Sequence, residues 1–197
     1  MGPATTTVRV MGEDDRLPER TFGWWDMFVS EAEDPRSDGG WDNNERAVLL
    51  GFLQDRRITL ELKCSGLNAV QMASQSVPPS DMSMLGLVRH LTSVESYWFC
   101  DAIAGQETQR PYCAVDGTDQ SFTVEATDEA VEVAWSAWRA QVVASTTIID
   151  NIADLGQLGV GNSLPIREVL VHLIREYAQH LGHADLIRER IDGRVGQ

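Results

Sequence analysis

Residues 164–192 read LPIREVLVHLIREYAQHLGHADLIRERID, and the reading of this stretch decides the fold. His172, Glu176 and His180 are spaced by four, and His183 follows one turn later. In a helix of 3.6 residues per turn, steps of three and four stay on one face. The stretch therefore predicts a long helix whose one face carries three imidazoles and a carboxylate. Ser163 is the expected N-cap, Pro165 is tolerated in the first turn, and Gly193 is the expected stop. Gly182 inside the helix costs about 1 kcal/mol relative to Ala in an exposed helix. Its presence there predicts close packing or a nearby site.

Working outward, three further amphipathic segments emerge. The first is expected over residues 45–67, with Val48, Leu49, Phe52, Leu53, Ile58, Leu60 and Leu62 as its apolar positions and Gly66 as its stop. A short turn of helix is expected at 69–73, before Pro78-Pro79 forbids continuation. Ser83 is placed to cap the second long helix, over 84–104, in which Leu87, His90, Leu91, Val94, Trp98 and Phe99 mostly recur at helical steps. Thr127 is placed to cap the third, over 128–153, with acids in its first turn and Ala134, Trp135 and Trp138 on its inner face. Residues 105–126 form a long connection with a few extended residues expected at 121–124. Such a length points to a crossover or to a lid over a site. Four long helices joined by loops predict an all-α four-helix bundle over 45–197. Residues 1–44 are expected to form an N-terminal arm, of which the first 20 or so are mobile. Its Trp24, Trp25 and Phe28 are too apolar to float free, and pack on the body or on a second subunit. A homodimer is expected on that ground.

Composition narrows the function. A net charge of −14 argues against nucleic acid, which needs clustered Lys and Arg. No apolar run is long enough to span a bilayer, and the first residues show no signal-type apolar stretch. The opening MGPATT fits only a loose lipidation pattern, with no basic patch beside it. A cytoplasmic protein is expected. Cys64, Cys100 and Cys113 are scattered, without a CxxC pair, and are expected to be reduced thiols.

The fourth histidine, His90, lies on the apolar face of the second long helix. The reading is that His90 meets Glu176 and His180 around one divalent ion. Imidazole and carboxylate suit zinc and other borderline divalent ions, and three protein ligands leave open positions, as in catalytic sites. The competing explanation is that the histidines are surface or satisfied core residues. Spacing also leaves His172 with Glu176, or Glu176 with His183, sterically open. Tyr97, Trp98 and Phe99 are assigned to the core, with room for one of them to line a pocket. Tyr177 is assigned to packing, and Arg188, Glu189 and Arg190 to a solvated face.

GLNAVQMASQSVPPSDMSMLGLVRHLTSVESYWF and LPIREVLVHLIREYAQHLGHADLIRERIDG together resemble the DinB-like superfamily, in its actinobacterial mycothiol-dependent branch. The resemblance implies a four-helix bundle with a metal site between its second and fourth helices. It implies His90, Glu176 and His180 as ligands, glutamate replacing the middle histidine common elsewhere in the superfamily. His172 and His183 are then pocket residues that could shuttle a thiol proton. The implied chemistry joins one divalent metal, with zinc foremost and nickel, manganese, iron or cobalt compatible, to mycothiol as cosubstrate. The metal favours the thiolate, which attacks a small electrophile. Two alternatives go with it. One is another metal-dependent reaction, such as hydrolysis, isomerisation or a biosynthetic step. The other is a non-catalytic metal-binding stress protein.

Overall fold

The computed structural model describes residues 17–20, 28–36 and 44–196. Five α-helices follow in order: α1 (Glu45–Cys64), α2 (Ala69–Ala73), α3 (Met84–Glu95), α4 (Asp128–Asp150) and α5 (Ile166–Asp192). A π-helical segment, Ser96–Ile103, continues α3 without a break, and a 3-10 turn occupies Glu31–Glu33. The four long helices pack on one another as the expected all-α bundle, α1 against α5 and α3 against both α4 and α5. Among the described residues there is no strand, only isolated bridges at Cys113 with Asp119 and at Leu158 with Pro165. The extended residues expected at 121–124 thus have no strand partner.

Each helix begins where a side chain can satisfy its free N–H groups. Asn44, Asn68, Ser83 and Thr127 accept from backbone amides two or three residues on. The exception is α5. Ser163 does not cap it: Ser163 sits in the left-handed region at φ 57°, and Pro165 occupies the N-cap position without a side-chain bond. The chain turns at Ser163 so that the loop can return to the end of the π segment, where Val160 N donates to Ile103 O and Gly161 N to Ala102 O. At the other end Gly193 closes α5 at φ 79°, donating to Glu189 O as the expected stop. Helix α1 stops at Cys64 and α4 at Asp150, each three residues short of the expectation.

The core forms from one stripe per helix. Leu53 and Leu60 of α1, Leu87 and Leu91 of α3, Ala134, Trp138 and Ile149 of α4, and Val169, Leu173 and Leu181 of α5 are all buried. Phe52, assigned to that face, is instead exposed. Gly182 faces open space, and a side chain added there would meet nothing, so close packing does not account for it. Arg188 is not part of a solvated face. It is buried and donates to Lys63 O and Ser65 O at 2.8 Å and to Asp192, tying the end of α5 to the end of α1.

The same stripes carry a buried polar chain. Arg57 donates to both oxygens of Glu95 at 2.8 and 2.7 Å, Tyr177 donates to Glu95 at 2.6 Å, and Trp138 donates to the Tyr177 hydroxyl at 3.0 Å. One residue comes from each long helix. Burial opposes the charge on Arg57, but the Glu95 carboxylate beside it more than offsets this and holds the guanidinium protonated. Burial, with the same carboxylate, raises the Tyr177 hydroxyl well above its ordinary value, so it stays a donor.

Of the N-terminal expectations, those on Trp24, Trp25 and residues 1–16 lie outside the described residues. Phe28 is buried on its own chain, with the cations of Lys63, Arg188 and Arg194 5.3–5.4 Å from its ring centre.

Candidate metal centre

Helix α3 presents His90, and α5 presents Glu176 and His180 one turn apart. One ligand atom from each lies within 4.8 Å of the other two, and the three side chains are half-buried. The rings of His90 and His180 are 4.6 Å apart at their centres, and His180 Nε2 is 3.7 Å from Glu176 Oε2. This separation fits one ion of the zinc type, whose ligands at about 2.0–2.2 Å put neighbouring donors about 3–3.5 Å apart after slight closure. Among the described residues no other group of three His, Cys, Asp or Glu side chains comes as close.

The ring nitrogens of His90 have separate partners. Its Nδ1 is 3.0 Å from Asp119 Oδ2, which leaves Nε2 for the cluster. A carboxylate on the far nitrogen of a metal-binding imidazole fixes the tautomer and makes the ring a better ligand. Asp119 belongs to the 105–126 connection and was not anticipated. A tight turn brings it there: Ala114 N donates to Thr118 O and Gln120 N to Tyr112 O. Burial raises the Asp119 carboxyl, but bonds from Ser121 and then His90 outweigh it and hold the group below its ordinary value. Phe122 lies nearly parallel to the His90 ring at 5.8 Å. It fits there because residue 86 is glycine; a Cβ would run into the Phe122 ring. The connection thus covers one side of His90.

His172 and His183 flank the cluster from opposite ends. His172 Nε2 is 3.4 Å from Glu176 Oε1, its Nδ1 is 2.8 Å from Arg175 Nη2, and its ring packs on Trp98 at 4.4 Å. Since guanidinium only donates, the Nδ1 of His172 accepts and the ring proton sits on Nε2, toward Glu176. Burial, reinforced by Arg175, lowers the His172 pKa despite the opposing pull of Glu176. His183 meets His180 through the two Nδ1 atoms at 3.4 Å. Burial, with His90 and His183 nearby, pushes the His180 pKa down to about 4, so its imidazole is neutral, the form that binds metal.

Beside His172 opens a cavity of ≈ 690 Å³ between the first turns of α1 and α5, walled by Trp98. Trp98 is therefore the aromatic that lines a pocket, while Phe99 is buried and Tyr97 exposed.

Residues 48–193 match the family model described as mycothiol-S-transferase. No curated protein matches the chain.

Proposed function

Because the chain belongs to the mycothiol S-transferase family, we propose that it activates a low-molecular-weight thiol, mycothiol, for transfer to a small electrophile at the His90–Glu176–His180 cluster. The observation that carries this reading is the convergence of two imidazoles and a carboxylate from two facing helices, with ligand atoms within 4.8 Å of one another. His90, Glu176 and His180 would hold a single divalent ion, with zinc the best match to two imidazoles and a carboxylate. Such an ion lowers the pKa of a thiol, ordinarily about 8.5, so that sulfur is nucleophilic at neutral pH.

The protein's own contribution is orientation and proton handling. Asp119 holds His90 with Nε2 inward. His172, its proton on Nε2, braces Glu176 from the other side. His183, whose Nδ1 lies 3.4 Å from that of His180, would take up the thiol proton. Phe122 covers one face of His90, and Trp98 packs on His172 beside the cluster.

Elemental analysis of the purified protein should give one divalent ion per chain, lost in His90→Ala and in His180→Ala. Mycothiol with an electrophile such as monobromobimane should be consumed by the wild type and by neither variant. Metal-dependent turnover that needs no thiol would replace this reading with hydrolysis or another metal-dependent step. A loaded protein that neither binds nor consumes thiols would leave a non-catalytic metal protein.

No helix among the described residues is long and apolar enough to cross a membrane. We place the protein in the cytoplasm, where thiols are kept reduced. The expected homodimer loses Phe28 as support, because its own chain covers that ring. Trp24 and Trp25 alone carry the expectation, and a molecular mass from light scattering tests it.

A further inference from the structure

The cavity beside His172 has a chemical character of its own. Its floor and walls are Val48 and Leu49 of α1, Leu164 just before α5, Val171 within α5, and Trp98. Its volume of ≈ 690 Å³ falls within the range of about 300–1,000 Å³ usual for sites that take small organic molecules. Leu164 and Val171 are 38% and 55% exposed, so this part of the wall is open to solvent, while Leu49 and Trp98 also pack on the core.

Two carboxylates, Glu45 and Glu168, and two guanidinium groups, Arg167 and Arg175, line it, but they form only one ion pair. Arg167 is 3.5 Å from Glu45, which accounts for one pair. Glu168 is exposed and stands seven residues before Arg175, about 10 Å away along the helix axis. Arg175 has no carboxylate partner among the described residues; its one hydrogen bond goes to the Nδ1 of His172. A guanidinium has five N–H donors in a planar fork. Most of the Arg175 fork is therefore free, at the end of the cavity nearest Glu176. Only the imidazole of His172 stands between the two, 2.8 Å from Arg175 and 3.4 Å from Glu176.

We propose that this cavity binds a small amphipathic carboxylate, its anionic group on Arg175 and its apolar body against Val48, Leu49, Trp98 and Val171. Taken with the proposed function, on which this last assignment rests, it is the seat of the electrophile: an organic acid with an apolar body, held one imidazole away from the thiol centre. Carboxylate fits the planar fork bidentately, and the apolar wall supplies affinity without charge.

The test measures binding, not turnover. Metal-loaded protein, with no thiol present, is titrated calorimetrically with 4-phenylbutanoate and with the uncharged 4-phenylbutan-1-ol. The wild type should bind the acid at least about tenfold more tightly than the alcohol. Arg175→Gln should weaken the acid by about tenfold while leaving the alcohol within about twofold. Val171→Asp, at an exposed position that folding tolerates, should weaken both. Three results would overturn the proposal: equal affinity of the wild type for acid and alcohol, an acid affinity indifferent to Arg175→Gln, or no binding of either probe up to about 10 mM. Because no thiol takes part, a failure here leaves the transferase reading standing. A protein that binds the acid but uses no thiol would sink that reading and keep the cavity.

Discussion

Replacing Glu95 by Gln changes one atom type in the middle of the bundle. Glu95 is fully buried and accepts three hydrogen bonds, two from Arg57 and one from Tyr177. With Gln there, an amide N–H₂ group faces donors on at least one side, and the Arg57 guanidinium, whose side chain is 7% exposed, loses its counter-charge. Breaking a buried ion pair from one side costs about 3–5 kcal/mol, because the remaining charge stays buried. For a chain of this size each kcal/mol lowers Tm by about 2–4 °C, so Glu95→Gln should melt about 6–20 °C below wild type. Removing both charges has a different outcome. In Arg57→Met with Glu95→Leu no charge is left stranded, and most of the lost stability should return. Metal retention should not return with it. Glu95 lies on the π continuation's side of α3, five residues after His90, and its partner Tyr177 adjoins Glu176. The Tyr177–Glu95 bond therefore fixes how far α5 slides along α3, and with it the approach of Glu176 and His180 to His90. Thermal melts followed by circular dichroism, with chelator competition for the metal, read both quantities. A single variant that melts within about 2 °C of wild type would refute the energetic reasoning. A double variant with wild-type metal affinity would refute the positional one.

Asp119→Ala removes the carboxylate behind His90 and should weaken metal binding by about 10–100-fold. Its melting temperature in the metal-free form should hardly move, since the Asp119 side chain is 41% exposed; competition with a chromophoric chelator and a melt give the two numbers. Burial pushes the Cys64 thiol up to about 12, so it should resist alkylation by iodoacetamide in the folded protein, while half-buried Cys113 reacts first; mass spectrometry of the labelled peptides shows the order. In the metal-free protein His180 takes up its proton near pH 4, against 6.5 ordinarily. The unfolded chain thus binds the proton first on acidification, and stability should fall between those two values and level off below them. Urea midpoints across that window should show a decline that is shallower in His180→Asn.

The helices themselves were legible in the sequence because a helix is a local object. Ser83 and Thr127 begin their helices as expected, and Gly193 ends the last, by contacts within a few residues. His172, Glu176 and His180 share a face through the same local geometry, and His90 declared itself by sitting on an apolar face. The Arg57–Glu95–Tyr177–Trp138 chain left a fainter trace. Arg57 lies four after Leu53 and three before Leu60, Glu95 four after Leu91, and Tyr177 midway between Leu173 and Leu181. A polar group inside an apolar stripe marks a buried position, but its partner, 38 or 82 residues away, has no local sign.

What the sequence determined by itself was the number of long helices and most of their apolar faces, apart from Phe52 and Arg188; it offered His90, Glu176 and His180 as a ligand set while spacing left other pairings of Glu176 open. Only the tertiary structure decided that Asp119 and Phe122 return from the 105–126 connection to His90, that Arg188 is buried rather than solvated, and that Ser163 turns instead of capping. It also decided that His172 stands between Glu176 and a cavity. The physical reason is range: helical periodicity and capping act over three or four residues, whereas the position of a loop is set by where the packed helices leave its ends.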